Sequence, residues 1–242
     1  MKCARKVLLT VLVIFIMALG QGYARTPDQA LEHPIFLTEI DDARMIFATY
    51  ALKTGDLFLS YSEYDTFAQG YGALAFRTNL EGGGSTLSFI ASKELGGVDV
   101  AFGIHRVTGE EGGWLLDLGL GGRVDMAGLR LGLHRLPLGS WETMQENINI
   151  SVGGSVYVTD YLVLGADVYP GEEWTYAVGA DFLVRPDIGG SVKAEFQSTG
   201  FESGEAALWF TRDQLLLRLG YGLYKEEEEL AGGLTLGAGF KF

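Results

Sequence analysis

Apolar and polar residues alternate along most of this chain with a period of two. That is the spacing of a strand showing one face to an apolar medium and the other to a polar one. The last segment, 233–242, is the clearest case. Leu234, Leu236, Ala238, Phe240 and Phe242 point one way; Thr235, Gly237, Gly239 and Lys241 point the other. In 214–224, Leu215, Leu217, Leu219, Tyr221 and Leu223 oppose Leu216, Arg218, Gly220, Gly222 and Tyr224. Segments 174–185 and 147–158 read the same way. Each has about the 9–11 residues that a tilted strand needs to cross a bilayer.

The pattern predicts fourteen strands, at 44–53, 57–64, 70–80, 86–93, 98–107, 114–123, 126–136, 147–158, 161–169, 174–185, 191–199, 205–212, 214–224 and 231–242. Segments 57–64 and 205–212 are short, and losing a pair would leave twelve. The connections sort by length. Val124-Asp125, Thr159-Asp160 and Arg212-Asp213, all even-numbered, are tight. The odd-numbered ones include the longest, 108–113, 137–146 and 225–230. Glu81, Glu110, Glu111, Glu142, Glu146, Glu172, Glu173, Glu202, Glu205 and the run Glu226 to Glu229 are all expected on odd-numbered connections. Short turns on one side and long loops on the other are what a transmembrane barrel requires.

Composition narrows the class. Hydrophobic residues make up 48% and charged residues 20%, below the roughly 25% of a soluble domain. Eighteen basic residues against 31 acidic ones give a net charge of −13, which repels phosphate backbones and argues against a nucleic-acid partner. The single cysteine, Cys3, excludes an intramolecular disulfide. Residues 1–24 are expected to be a signal peptide. Lys2, Arg5 and Lys6 precede an apolar run from Val7 to Leu19, and Gly22-Tyr23-Ala24 ends in small residues at a cleavage position. After residue 24, charges or glycines interrupt every apolar run before the length of a spanning helix is reached. Any crossing there falls to strands closed on themselves, because lipid tolerates no open sheet edge. Residues 25–42 carry two prolines and no period. They are expected to form a periplasmic lead-in, or a plug using Ile35, Phe36, Leu37 and Ile40. The barrel itself is assigned to 43–242.

Parity then assigns faces. The polar face carries Arg77, Asp99, His105, Asp117, Arg123, Arg130, His134, Asp167, Asp181, Arg185, Lys193, Glu195, Arg218 and Lys241. A mid-plane Arg or Lys in lipid costs about 2–4 kcal/mol, so these residues are expected to line a lumen, facing water or one another. Glycines recur on the same face, among them Gly103, Gly132, Gly179, Gly220, Gly237 and Gly239. They either relieve strand curvature or leave room for a solute or plug. Tyr61, Trp114, Tyr161, Trp174, Trp209 and Tyr221 lie near strand ends, where lipid-facing aromatics form interfacial girdles.

Chemical motifs are sparse. Of three histidines, His105 and His134 share the inner face, with Asp99 and Asp117 on neighbouring strands. No serine follows a nucleophile-elbow pattern and no spacing suggests a metal site. The expectation is a protein that is not an enzyme and has no cofactor. The acidic loops suit divalent cations but read equally as solvated surface.

The signal peptide, the alternating strands and the terminal Gly239-Phe240-Lys241-Phe242 together resemble a Gram-negative outer-membrane β-barrel. Barrels of that kind commonly end on an aromatic residue that the barrel assembly machinery reads. The resemblance implies that Leu236, Phe240 and Phe242 form the assembly signal, with outer-membrane lipids as the surroundings. Fourteen strands are similar in number to the fatty-acid transporter type, although this chain is much shorter. The expected fold is an all-β, transmembrane, antiparallel up-and-down barrel. The expected function is a narrow porin-like channel for small hydrophilic solutes. A sealed structural or docking barrel and a transporter for an apolar ligand are the alternatives.

Overall fold

The strongest β-formers lie on the apolar parity of each segment, and every segment finds its partner in the next one along the chain. In the computed structural model, which describes residues 44–66, 68–80, 82–109, 112–138, 149–171, 173–226 and 229–242, fourteen strands follow one another. They are β1 (Arg44–Ala51), β2 (Asp56–Asp65), β3 (Gly70–Asn79), β4 (Ser85–Leu95), β5 (Val98–Val107), β6 (Gly113–Val124), β7 (Ala127–Pro137), β8 (Asn149–Thr159), β9 (Leu162–Tyr169), β10 (Thr175–Arg185), β11 (Ile188–Gln197), β12 (Gly200–Arg212), β13 (Leu215–Glu226) and β14 (Glu229–Lys241). All neighbours are antiparallel, and β1 pairs with β14 from Met45↔Lys241 to Ala51↔Thr235. The sheet therefore closes with no free edge. The expected signal peptide, the lead-in or plug, and residues 139–148 lie outside the described residues.

The two ends differ. At one end β4–β5, β6–β7, β8–β9, β10–β11 and β12–β13 join through two residues each. Gly96 and Gly97 both take positive φ, 63° and 87°, as the favoured two-residue hairpin demands. At the other end the gaps between β3–β4, β5–β6, β7–β8 and β9–β10 are longer. Two expectations at this end are corrected. Strand β12 begins at Gly200, so Glu202 and Glu205 are strand residues. Strands β13 and β14 run out to Glu226 and Glu229, so most of the supposed 225–230 loop is ladder. Backbone pairing there outweighs the acidic character of the run.

The radial order is inverted relative to a soluble protein. Leu74, Leu131 and Leu219 stand about half exposed on the outer wall, while Phe47, Met45 and Ile90 are covered inside. The interior is apolar in one sector. Met45, Phe47, Phe58, Ala73, Ala75, Ile90, Leu183, Trp209 and Leu216 pack together, with Tyr71 and Tyr161 against them. Trp209 thus leaves the expected outer girdle. It is 7% exposed, and its indole takes the space that a side chain at Gly189, directly opposite across the ladder, would need. Tyr161 likewise packs on the inner cluster rather than on the lipid-facing wall.

Candidate functional site: the lumen

Inner-wall side chains project from a cylinder whose circumference shrinks inward, so long polar groups must lie over their neighbours. Glycines on the intervening strands make this possible. Arg130 on β7 and Asp167 on β9 both register against Gly153 of the strand between them. A side chain at 153 would overlap the Asp167 carboxylate. Across that gap the guanidinium donates from Nε and Nη2 to the two carboxylate oxygens, both at 2.7 Å. Such a bidentate pair is the strong form of charge-assisted hydrogen bond.

The same device recurs on the other side of the barrel and in its middle. Glu205 on β12 reaches over Gly220 to the guanidinium of Arg218 on β13. Lys193 and Glu195 on β11 pair at 2.9 Å, and the Ser203 hydroxyl donates to Glu195 at 2.9 Å. On β5, Gly103 faces Asp117 across the ladder, which lets the His105 ring lean between strands. His105 Nε2 lies 3.1 Å from Asp117 Oδ2, and Nδ1 lies 2.8 Å from the Ser88 hydroxyl. The second Asp117 oxygen accepts the backbone N–H of Arg135, at a bulge where Arg135 adopts φ 51°. His134 Nε2 lies 2.6 Å from the Ser151 hydroxyl.

Among the described residues, three spaces are lined by these inner side chains. At the long-loop end a vestibule of about 520 Å³ is lined by residues that include Lys53, Asp56, Arg77, Lys193, Glu195, Glu205, Arg218 and Tyr224. At the short-turn end a second, of about 460 Å³, is lined by Tyr64, Glu94, Asp99, Arg123, Arg130, Tyr157 and others. Arg123 lies over the Tyr157 ring there at 3.7 Å. Between β3 and β7 sits a chamber of about 140 Å³ whose walls include Arg77, Ser88, His105, Asp117 and Arg135.

The residues expected in the lumen divide accordingly. Arg77, Lys193, Glu195 and Arg218 line the long-loop vestibule; Asp99, Arg123 and Arg130 line the short-turn one; His105 and Asp117 line the chamber. Asp167 and His134 take part in the inner hydrogen bonds described above. Asp181 sits mid-strand on inward parity, while Arg185 is exposed at the turn beside Asp187, 3.1 Å away. Lys241 ends β14 next to Met45. Reading the sequence missed Glu205, Arg135 and the serine partners. Glu205 carries the inward parity of Lys193, its ladder partner, and that parity was the available signal. Leu236, Phe240 and Phe242 are exposed on the outer face, where Phe242 stacks on Tyr61 with centroids 6.4 Å apart. Among the described residues no three His, Cys, Asp or Glu side chains gather as metal ligands would.

No protein-family model matches the chain, and no curated protein does. Solved structures do. The toluene transporter TbuX of Ralstonia pickettii is 9% identical, with 93% of this chain and 96% of that one covered and a TM-score of 0.66. The outer membrane protein Omp33 of Acinetobacter baumannii is 10% identical, with 82% and 96% covered and a TM-score of 0.62. The KdgM porin in complex with disordered oligogalacturonate is 11% identical, with 82% and 99% covered and a TM-score of 0.50. The fold is that of the bacterial outer-membrane β-barrels. At these identities the likeness concerns the fold.

Proposed function

We propose that this protein is an outer-membrane barrel acting as a narrow channel for small hydrophilic solutes. The observation that carries this reading is the pair of polar vestibules at opposite ends of a closed barrel whose outer wall is apolar. A wall rich in half-exposed leucine and valine fits lipid, and a charged interior fits water. Two of the solved structures that share the fold are a toluene transporter and a porin. In this reading the short turns face the periplasm and the long loops face outward. The lumen-facing charges, from Arg77 to Lys241, set the polarity of the passage. Leu236, Phe240 and Phe242, on the lipid face of the last strand, serve as the signal read by the barrel assembly machinery. Ser88, His105 and Asp117 are nearly covered, and act as a strut bracing β4 to β6 rather than as a catalytic relay.

One observation favours a second reading. The cluster around Phe47 and Ile90 fills a sector of the bore, as a sealed structural barrel would require. Liposome swelling separates the two. Vesicles carrying the full-length protein should swell in arabinose and stay unchanged in raffinose. If no sugar, however small, enters faster than into empty vesicles, the barrel is sealed.

A further inference from the structure

Most inner charges are answered by a neighbour. Arg130 has Asp167, Arg218 has Glu205, Lys193 has Glu195, and His105 has Asp117. Arg77 and Arg135 differ. Both are solvent-exposed and line the small chamber between β3 and β7, and among the described residues neither guanidinium lies within salt-bridge distance of a carboxylate. Arg77 rests over the Phe58 ring, 5.9 Å from its centroid, an arrangement that holds the stem and leaves the donors facing water. It borders both the long-loop vestibule and the small chamber, so it stands at their junction. Arg135 is projected at the chamber by its bulge. Asp117, the one carboxylate lining the chamber among the described residues, is already engaged by His105 and by the Arg135 N–H.

We infer that this chamber is a binding subsite for the carboxylate group of small organic acids, held by Arg77 and Arg135 as the solute enters from the long-loop side. The inference rests on the channel reading and gives it a substrate class. Two planar guanidinium forks match carboxylate oxygens bidentately. The wall between them includes Thr86, whose hydroxyl suits a remaining lone pair of a bound acid. A volume near 140 Å³ admits a carboxyl-bearing ring or short chain and excludes a polymer coil. The excess of positive charge is local: the chain as a whole carries −13, so a passage governed by net charge alone would prefer cations.

Two measurements on the full-length protein test this. In planar bilayers under a potassium chloride gradient, the reversal potential should report anion preference. Arg77→Gln and Arg135→Gln should each reduce that preference several-fold. Arg77→Lys should keep most of it, and Arg44→Gln, on the outer wall, should leave it unchanged. Heat-modifiable gel mobility confirms that each variant is folded. In detergent, saturation-transfer NMR should show glucuronate bound and glucose unbound, with the glucuronate signal lost in the Arg77→Gln/Arg135→Gln double variant. Conductance with cation preference, or with a preference indifferent to both arginines, overturns the subsite while leaving the channel standing. Glucuronate that fails to bind the native protein also overturns it. Glucuronate binding without conductance supports the subsite and removes the channel.

Discussion

Gly153 shows how one missing side chain organises the inner wall. Arg130 and Asp167 meet across it, and a methyl group there would have to share space with the Asp167 carboxylate. Displacing the acid leaves a covered guanidinium without its partner, the expensive way to disturb a buried ion pair. Gly222 makes the contrast, since a Cβ there meets nothing within 4 Å. Gly153→Ala should therefore destabilise the barrel by about 1–3 kcal/mol, whereas Gly222→Ala should stay within about 0.5 kcal/mol. Denaturant midpoints of the detergent-folded variants decide this. Which side chains share the inward parity was legible along the regular strands, though not at the bulge that places Arg135 on the chamber wall. Which of them pair was not, because pairing follows diagonal register and the positions of glycines on intervening strands. Glu205 was hidden because its surroundings, Glu202-Ser203-Gly204, resemble a loop in composition. Trp209 was misplaced because an aromatic near a strand end is usually interfacial, and the space over Gly189 that receives it exists only once β11 and β12 are in register.

A single rule governs each element: one parity meets the medium outside and the other fills the bore. Thirteen of the fourteen predicted strands lie within a few residues of their observed limits, since alternation over nine or more residues has few competing explanations. Strand β12 is the exception at its start, five residues earlier than the period suggested, because Glu202 to Glu205 hold no apolar side chain to register the period. The rule yields a prediction for β7. Leu131 lies mid-strand on the outer wall and is about half exposed. Leu131→Arg should cost about 2–4 kcal/mol in lipid vesicles, the penalty for a cation near mid-plane. Thr235→Lys, on the wall of the long-loop vestibule, should cost well under 1 kcal/mol, because there the ammonium keeps its water. Equal penalties at the two positions would mean that the faces are assigned wrongly.

Taken whole, the molecule is a cylinder without edges whose stability comes from a continuous ladder rather than from a central core. Closure was legible in outline, because a membrane admits strands only when no edge is left unpaired. The division of the bore was not. The apolar sector depends on how Phe47, Phe58, Ile90 and Trp209 from four different strands come together in one cluster, a long-range packing with no signature in any one segment. The inner ion pairs run along the wall between nearby strands, Arg130 with Asp167 and Arg218 with Glu205. The outer wall, by contrast, answers only to the lipid, which is why its pattern is so regular.

The central claim is that one parity lines a conducting, water-filled bore and the other meets lipid. It is tested most directly by placing single cysteines in a background with Cys3 replaced. In planar bilayers, a charged water-soluble thiol reagent should lower single-channel conductance when the cysteine is at Thr235, on the vestibule wall, and should do nothing when it is at Leu131. Blockage from Leu131, or indifference at Thr235 in channels that conduct, would contradict the account.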